Sequence, residues 1–64
     1  MRILVNGSWR EIARADLSAV LEELGYAGVV ATAVNGEFVP VGARPDTPLA
    51  EGDRLEVVAP MQGG

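Results

Sequence analysis

The chain has 64 residues with no cysteine, histidine or lysine, and nine acidic residues against five arginines leave it a formal charge of −4. Without cysteine it has no disulfide framework, no cysteine metal site and no thiol nucleophile, and its acidity argues against nucleic acid or anionic membranes as partners, because a phosphate surface repels it. A domain this small buries only about 60% of the surface its unfolded chain exposes, so its core has to be compact and regular.

No segment approaches the ~20 consecutive apolar residues of a membrane span. The start, Met1 to Val5, runs into a turn too early for a signal peptide, and a cytoplasmic protein is the expectation. Arg2 to Val5 is a short apolar run ending at Asn6-Gly7, a dipeptide that accepts positive φ and favours a two-residue hairpin turn, which makes Trp9 to Ile12 the expected return strand. Asp16 is suited to cap a helix. Leu17, Val20, Leu21 and Leu24 follow at the i, i+3, i+4, i+7 spacing of one apolar helical face, and Gly25 stops it. A helix of about two turns is not stable alone and must lay its leucines on a sheet.

Val29 to Val34 is rich in β-branched residues and meets a second Asn-Gly at Asn35-Gly36, after which Glu37 to Val41 runs back. Pro40 cannot donate to a ladder, so the strand holding Phe38 and Val39 is expected at a sheet edge, or to stop at the proline. Gly42, Pro45 and Pro48 mark a loop, Leu49 to Asp53 a compact turn bent at Gly52, Arg54 to Ala59 the last strand, and Pro60 the close of the folded region.

The order is therefore hairpin, helix, hairpin, loop, strand, with no repeat. One helix covers one face of such a sheet and leaves the other open to solvent or partners. The expected class is α+β, a ubiquitin-like β-grasp. It comprises a mixed four- to five-stranded sheet with one helix packed on one face over residues 1–60, then a flexible Gly-Gly tail over residues 61–64. Periodicity leaves open an α+β domain of different strand order.

The inventory for catalysis is thin. General acid–base work needs a histidine, a lysine or a carboxylate pair in a dry cleft. Glu22 and Glu23 are expected to be a solvated surface pair on the helix, Asp53 a turn residue and Glu56 an outward strand residue. No glycine-rich phosphate loop with a following lysine is present, so no cofactor is expected on this chain and any ATP is expected on another protein. What remains is the uncharged end Pro60-Met61-Gln62-Gly63-Gly64. Glycines lack Cβ, so such an end can enter a narrow channel and bring its carboxylate close to a nucleotide. A terminal carboxylate with a pKa of about 3.3 to 3.7 is ionised and a poor electrophile, so it needs activation. Attack on the α-phosphate of ATP would give an acyl adenylate, from which a sulfur nucleophile would displace AMP.

The segments Val5-Asn6-Gly7, Val34-Asn35-Gly36-Glu37-Phe38-Val39-Pro40, Leu49 to Val58 and Met61-Gln62-Gly63-Gly64 resemble the bacterial sulfur carriers of thiamine biosynthesis, the ThiS family. The resemblance covers nearly the whole chain. It implies that Gly64 is adenylated by an activating enzyme related to ubiquitin activators (E1-like, ThiF type), with ATP used by that partner. Gly64 then becomes a thiocarboxylate and hands its sulfur to thiazole synthase (ThiG type). Sulfur would come from a donor such as a cysteine desulfurase relay. The chain would then be a protein cosubstrate rather than an enzyme, with Gly63, Gln62 and Met61 as the recognised tail. The small subunit of molybdopterin synthase and carriers of other sulfur pathways share this ending. A ubiquitin-like modifier or a noncatalytic binding domain is the alternative of a different class.

A partner surface is also legible. If Ile3, Val5, Leu55 and Val57 point toward the helix, alternation puts Leu4 and Val58 on the opposite face, where apolar residues would suit a contact. Trp9, Tyr26 and Phe38 are expected to be packing residues, since aromatics bury large areas.

Overall fold

Both Asn-Gly dipeptides turn the chain as their backbone freedom allows. In the computed structural model, which describes residues 1–26 and 28–59, Asn6 and Asn35 sit at φ 48° and 51°, each followed by a glycine at φ 85°. Positive φ at both central residues gives the two-residue turn whose twist matches that of paired strands. Each turn closes an antiparallel hairpin: β1 (Arg2–Val5) with β2 (Ser8–Glu11), and β3 (Ala31–Val34) with β4 (Glu37–Val39). The first turn sets Val5 opposite Ser8, so β2 starts one residue before the expected Trp9 and ends before Ile12. Ile12 stays tied to the first strand even so. Its N–H donates to the Met1 carbonyl at 2.7 Å, and the Met1 ammonium donates to its carbonyl at 2.8 Å.

Between the hairpins runs β5 (Arg54–Val58), parallel to β1 and antiparallel to β3, for a sheet order β2-β1-β5-β3-β4. This is the mixed five-stranded sheet of a ubiquitin-like β-grasp, and it answers the strand order that periodicity left open. Side chains alternate along a strand, so Ile3 and Val5 of β1 share a face with Leu55 and Val57 of β5. All four are buried against Leu17, Val20 and Leu21 of α1 (Leu17–Leu24). Full burial of each such side chain is worth about 1.5–3 kcal/mol. Asp16 caps α1 by accepting from the Ala19 N–H at 2.9 Å, and Gly25 ends it at φ 84°. The start of α1 is tied down by the Leu17 N–H donating to the Thr47 carbonyl at 2.9 Å. A second bond, from the Leu49 N–H to the Ala15 carbonyl at 2.8 Å, draws Leu49 into the core.

Three segments depart from expectation. Residues Val41–Asp46, expected as the end of a strand at Val41 and then as loop, form a 3-10 helix. Such a helix needs only a few i→i+3 bonds, so it tolerates the proline and glycine that stop a longer helix. From it Arg44 donates through Nη2 to the Val30 carbonyl at 2.6 Å and through Nε to the Thr32 hydroxyl at 3.1 Å, while that hydroxyl donates to the Val39 carbonyl at 2.9 Å. Secondly, β3 is shorter than the run from Val29 and β5 ends at Val58, before the expected Ala59, whereas β4 lies at the sheet edge and stops at Val39, before Pro40, as expected. The end of β5 at Val58, opposite Ala31, leaves residues 29 and 30 no strand to join. Lastly, Glu23 is not merely solvated. Its carboxylate accepts from the Ala13 and Arg14 N–H groups, both at 2.9 Å, and staples α1 to the segment before it. The bond from Ala13, then that from Arg14, with the Arg14 charge nearby, hold its carboxyl below the ordinary value. Among the described residues no helix is long and apolar enough to cross a membrane.

Leu55 is fully buried in the central strand. Leu55→Ala is expected to cost about 2–5 kcal/mol, much of the stability of a domain this size, read as a lower midpoint in chemical denaturation. A carboxyl held below its ordinary value contributes stability above that value and loses it as pH falls through the folded value. The wild-type chain is therefore expected to be more stable than Glu23→Gln at neutral pH. That advantage is expected to fade as pH falls below the ordinary carboxyl range; a Tm difference independent of pH would contradict the staple.

Candidate functional site

The expected reactive end, Gly64 with Gly63, Gln62 and Met61, lies outside the described residues, as does Pro60. The structure does describe the strand that leads to it. β5 is held from both sides by main chain: the Leu4 N–H donates to the Asp53 carbonyl at 2.9 Å and the Asn6 N–H to the Leu55 carbonyl at 3.0 Å on one side, and the Asn35 N–H to the Arg54 carbonyl at 2.8 Å on the other. The asparagines of both turns add side-chain bonds to the same strand. Asn35 Oδ1 accepts from the Arg54 N–H at 2.9 Å, and Asn6 Oδ1 from the Val57 N–H at 2.9 Å. Composition marks both asparagines as turn residues; their second role as clamps depends on where β5 returns, which local sequence does not state.

The face of the sheet turned away from α1 carries the expected contact residues. Val58 is 62% exposed and Leu4 half-buried. Strand register adds two residues that the sequence reading assigned to packing. Leu4 pairs with Trp9 and, on its other side, with Arg54. Ala33 pairs with Phe38 and with Glu56, and Ala31 pairs with Val58. Trp9 and Phe38 therefore stand on the open face, 52% and 70% exposed, and Tyr26 is exposed as well. For Trp9 and Phe38 the expectation of packing fails because each two-residue turn fixes register, and Tyr26 stands outside both hairpins, just past the end of α1. Trp9 must face the way Leu4 faces, and Phe38 the way Ala33 faces. The signal was present in the turn chemistry, since a two-residue loop after Val5 and after Val34 dictates both pairs. Trp9 keeps one partner, the Arg2 guanidinium, 4.9 Å from its ring centroid.

The described carboxylates with assigned bonds serve the backbone. Asp16 caps α1, Glu23 holds residues 13 and 14, and Asp53 accepts from the Ala50 N–H at 2.8 Å and from Asn35 Nδ2 at 3.1 Å. Glu56 is exposed on the open face as expected. Among the described residues no three His, Cys, Asp or Glu side chains converge as a metal site. The described body thus combines a central strand bonded on both sides, a half-apolar face beside it, and Asp16, Glu23 and Asp53 engaged in holding the fold.

Comparison with known proteins places this arrangement. The family model described as the ThiS family matches residues 3–64. A sulfur carrier protein ThiS from Thermus thermophilus is 43% identical over 63 residues, covering 97% of this chain and 98% of the relative. The crystal structure of a thiamine biosynthesis protein (ThiS) from Geobacter metallireducens is similar with a TM-score of 0.85 at 29% identity over 100% of both chains. An NMR solution structure of a thiamine biosynthesis protein from the same organism gives a TM-score of 0.82 at 29% identity, covering 100% of this chain and 88% of that one. With the family pattern running from β1 to residue 64 and the same fold along the full length, this chain belongs to the ThiS family.

Proposed function

We propose that the chain is a sulfur carrier, a protein cosubstrate rather than an enzyme, whose Gly64 carboxylate is activated and thiolated to supply sulfur for thiazole formation in thiamine biosynthesis. The observation that carries this reading is the family match that extends through Gly64, on a body whose assigned carboxylates are engaged in holding the fold.

The chemistry follows from the state of that carboxylate. Ionised at neutral pH, it attacks the α-phosphate of ATP held by an adenylating enzyme of the ThiF type. Pyrophosphate leaves, and the carbonyl carbon now carries AMP as a leaving group. Hydrosulfide adds to that carbon and expels AMP directly. Where a relay such as a cysteine desulfurase supplies the sulfur as a cysteine persulfide, the persulfide expels AMP to give an acyl disulfide, and a second thiol of the relay frees the thiocarboxylate by forming a disulfide with that cysteine. The thiocarboxylate then delivers its sulfur to a thiazole synthase of the ThiG type. Gly63 and Gly64 offer no Cβ to a narrow channel, and Gln62 and Met61 are the residues a partner reads beside them. The body docks outside through the open face, with Leu4 and Val58 joined there by Trp9 and Phe38.

Incubation with ATP, a sulfide source and the cognate activating enzyme is expected to change the intact mass by replacement of one oxygen with sulfur. An amide-linked adduct would instead identify a modifier, and an unchanged mass a binding domain. Deletion of Gly64 is expected to keep the fold and abolish adenylation; retained adenylation would count against the site. Phe38→Asp and Val58→Asp, at exposed positions, are expected to raise KM for the carrier in the activation step about tenfold each with little change in kcat or Tm.

A further inference from the structure

β1 and β5 part before β5 ends. Their parallel register pairs Leu4 with Arg54 and Val5 with Leu55. At Asn6 the first chain turns away into its hairpin, while β5 continues through Glu56, Val57 and Val58. The notch left between them is lined by Leu4, Asn6, Gly7, Arg54, Leu55 and Glu56. Backbone groups alternate in direction along a strand. Since Leu55 turns its carbonyl toward β1 to accept from the Asn6 N–H, Val57 turns its own groups the same way, to a place where β1 no longer runs.

The Asn6 side chain takes that place. Oδ1 accepts from the Val57 N–H at 2.9 Å and Nδ2 donates to the Val57 carbonyl at 3.1 Å, so one primary amide stands in for the missing strand residue on both groups. Nδ2 also lies 3.4 Å from the Tyr26 hydroxyl, just past the end of α1. Asparagine suits both demands of the position. It tolerates the φ of 48°, and it carries donor and acceptor together, whereas ionised aspartate has acceptors alone and glycine has neither.

We propose that Asn6 is a positioning residue for the carrier end: by locking Val57 it fixes the direction in which the chain leaves the sheet after Val58. The functional half of this proposal rests on the sulfur-carrier reading; the structural half does not. With the lock removed, the end of β5 is held by β3 alone, and the β1 side of Val57 has to be fixed again each time a partner engages it. Ordering one more residue lowers kcat/KM about tenfold.

Asn35 supplies the control. It has a similar φ, 51°, and the same following glycine, and it also bonds β5, but at the opposite end, through the Arg54 N–H and Asp53. Asn6→Gly and Asn35→Gly each keep a turn that allows positive φ and each delete one clamp. Two readouts are compared in the full chain, amide hydrogen exchange by NMR and steady-state thiocarboxylation with the activating enzyme. In Asn6→Gly the Val57 amide is expected to lose about tenfold or more in protection while the β3–β5 ladder keeps its own. In the same variant kcat/KM is expected to fall about tenfold through KM. Asn35→Gly is expected to lower Tm as much and leave kcat/KM within about twofold. Equal losses of kcat/KM in both variants, or none in Asn6→Gly, overturn the proposal. If Asn6→Gly does not fold, Asn6→Asp keeps the φ tolerance and the acceptor for the Val57 N–H and removes only the donor to the Val57 carbonyl, so kcat/KM is read there instead, and a loss no greater than in Asn35→Asp overturns the proposal. A wild-type chain that is never thiolated defeats the sulfur-carrier reading, and the Val57 exchange result still decides the lock.

Discussion

Everything in this fold depends on β5 being gripped from both sides. The two hairpins close on themselves, each through its own two-residue turn, and neither reaches the other. Only when residues 54–58 insert between β1 and β3 does a continuous sheet exist, and only then do Leu55 and Val57 complete the surface that α1 covers. A two-stranded hairpin is marginal in water and a two-turn helix more so, so the three local units gain stability together or not at all. The parallel pairing of β1 with β5 joins residues some fifty apart in sequence. The loop-closure entropy of that contact must be met by the core it seals.

The same constraint sets the two faces apart. On one side every inward position of β1 and β5 is aliphatic and buried. On the other, register alone lines up Trp9, Leu4 and Arg54 in one row, Phe38, Ala33 and Glu56 in the next, and Val58 beside Ala31 after that. A single helix of eight residues cannot cover both faces. The sheet therefore keeps exposed aromatic and aliphatic surface beside the strand that leads to the chain's end, the composition found where proteins meet partners.

Local chemistry made most of this fold legible. The two Asn-Gly turns, the Asp16 cap, the Gly25 stop and the aliphatic spacing of α1 each act within a few residues, and the structure realises them with shifts of a residue or two at strand ends. At β3 the shift arises because a strand extends only as far as a neighbour does, and Val29 and Val30 lack one, while at β2 the two-residue turn sets the start at Ser8. Less legible were the features that join distant segments through side chains. Arg44 reaching Val30 and Thr32, Glu23 reaching Ala13 and Arg14, and Asn6 and Asn35 reaching β5 are decided by tertiary approach. No periodicity marks them. Trp9 and Phe38 form an intermediate case, for the turn chemistry that fixes their register is local, and it overrides the general tendency of aromatics to pack. Of the candidate site, Leu4 and Val58 fall on the expected face, and the Gly64 end rests on the family match rather than on described geometry.

On the sulfur-carrier reading, body and end face opposite requirements. An end that must pass from an adenylating site to a sulfur acceptor gains from small residues and from having no side chain to reorganise, which is what glycine supplies. Whatever must be fixed in such an end at docking costs entropy, and that cost grows with each residue to be fixed. The body limits it by carrying order as far along the chain as it can. β5 remains hydrogen-bonded to β3 through Val58, and where β1 has already turned away the Asn6 amide continues its side of the ladder to Val57. Hydrogen bonds thus carry order through Val58, the last residue of β5, toward the end that this reading makes reactive.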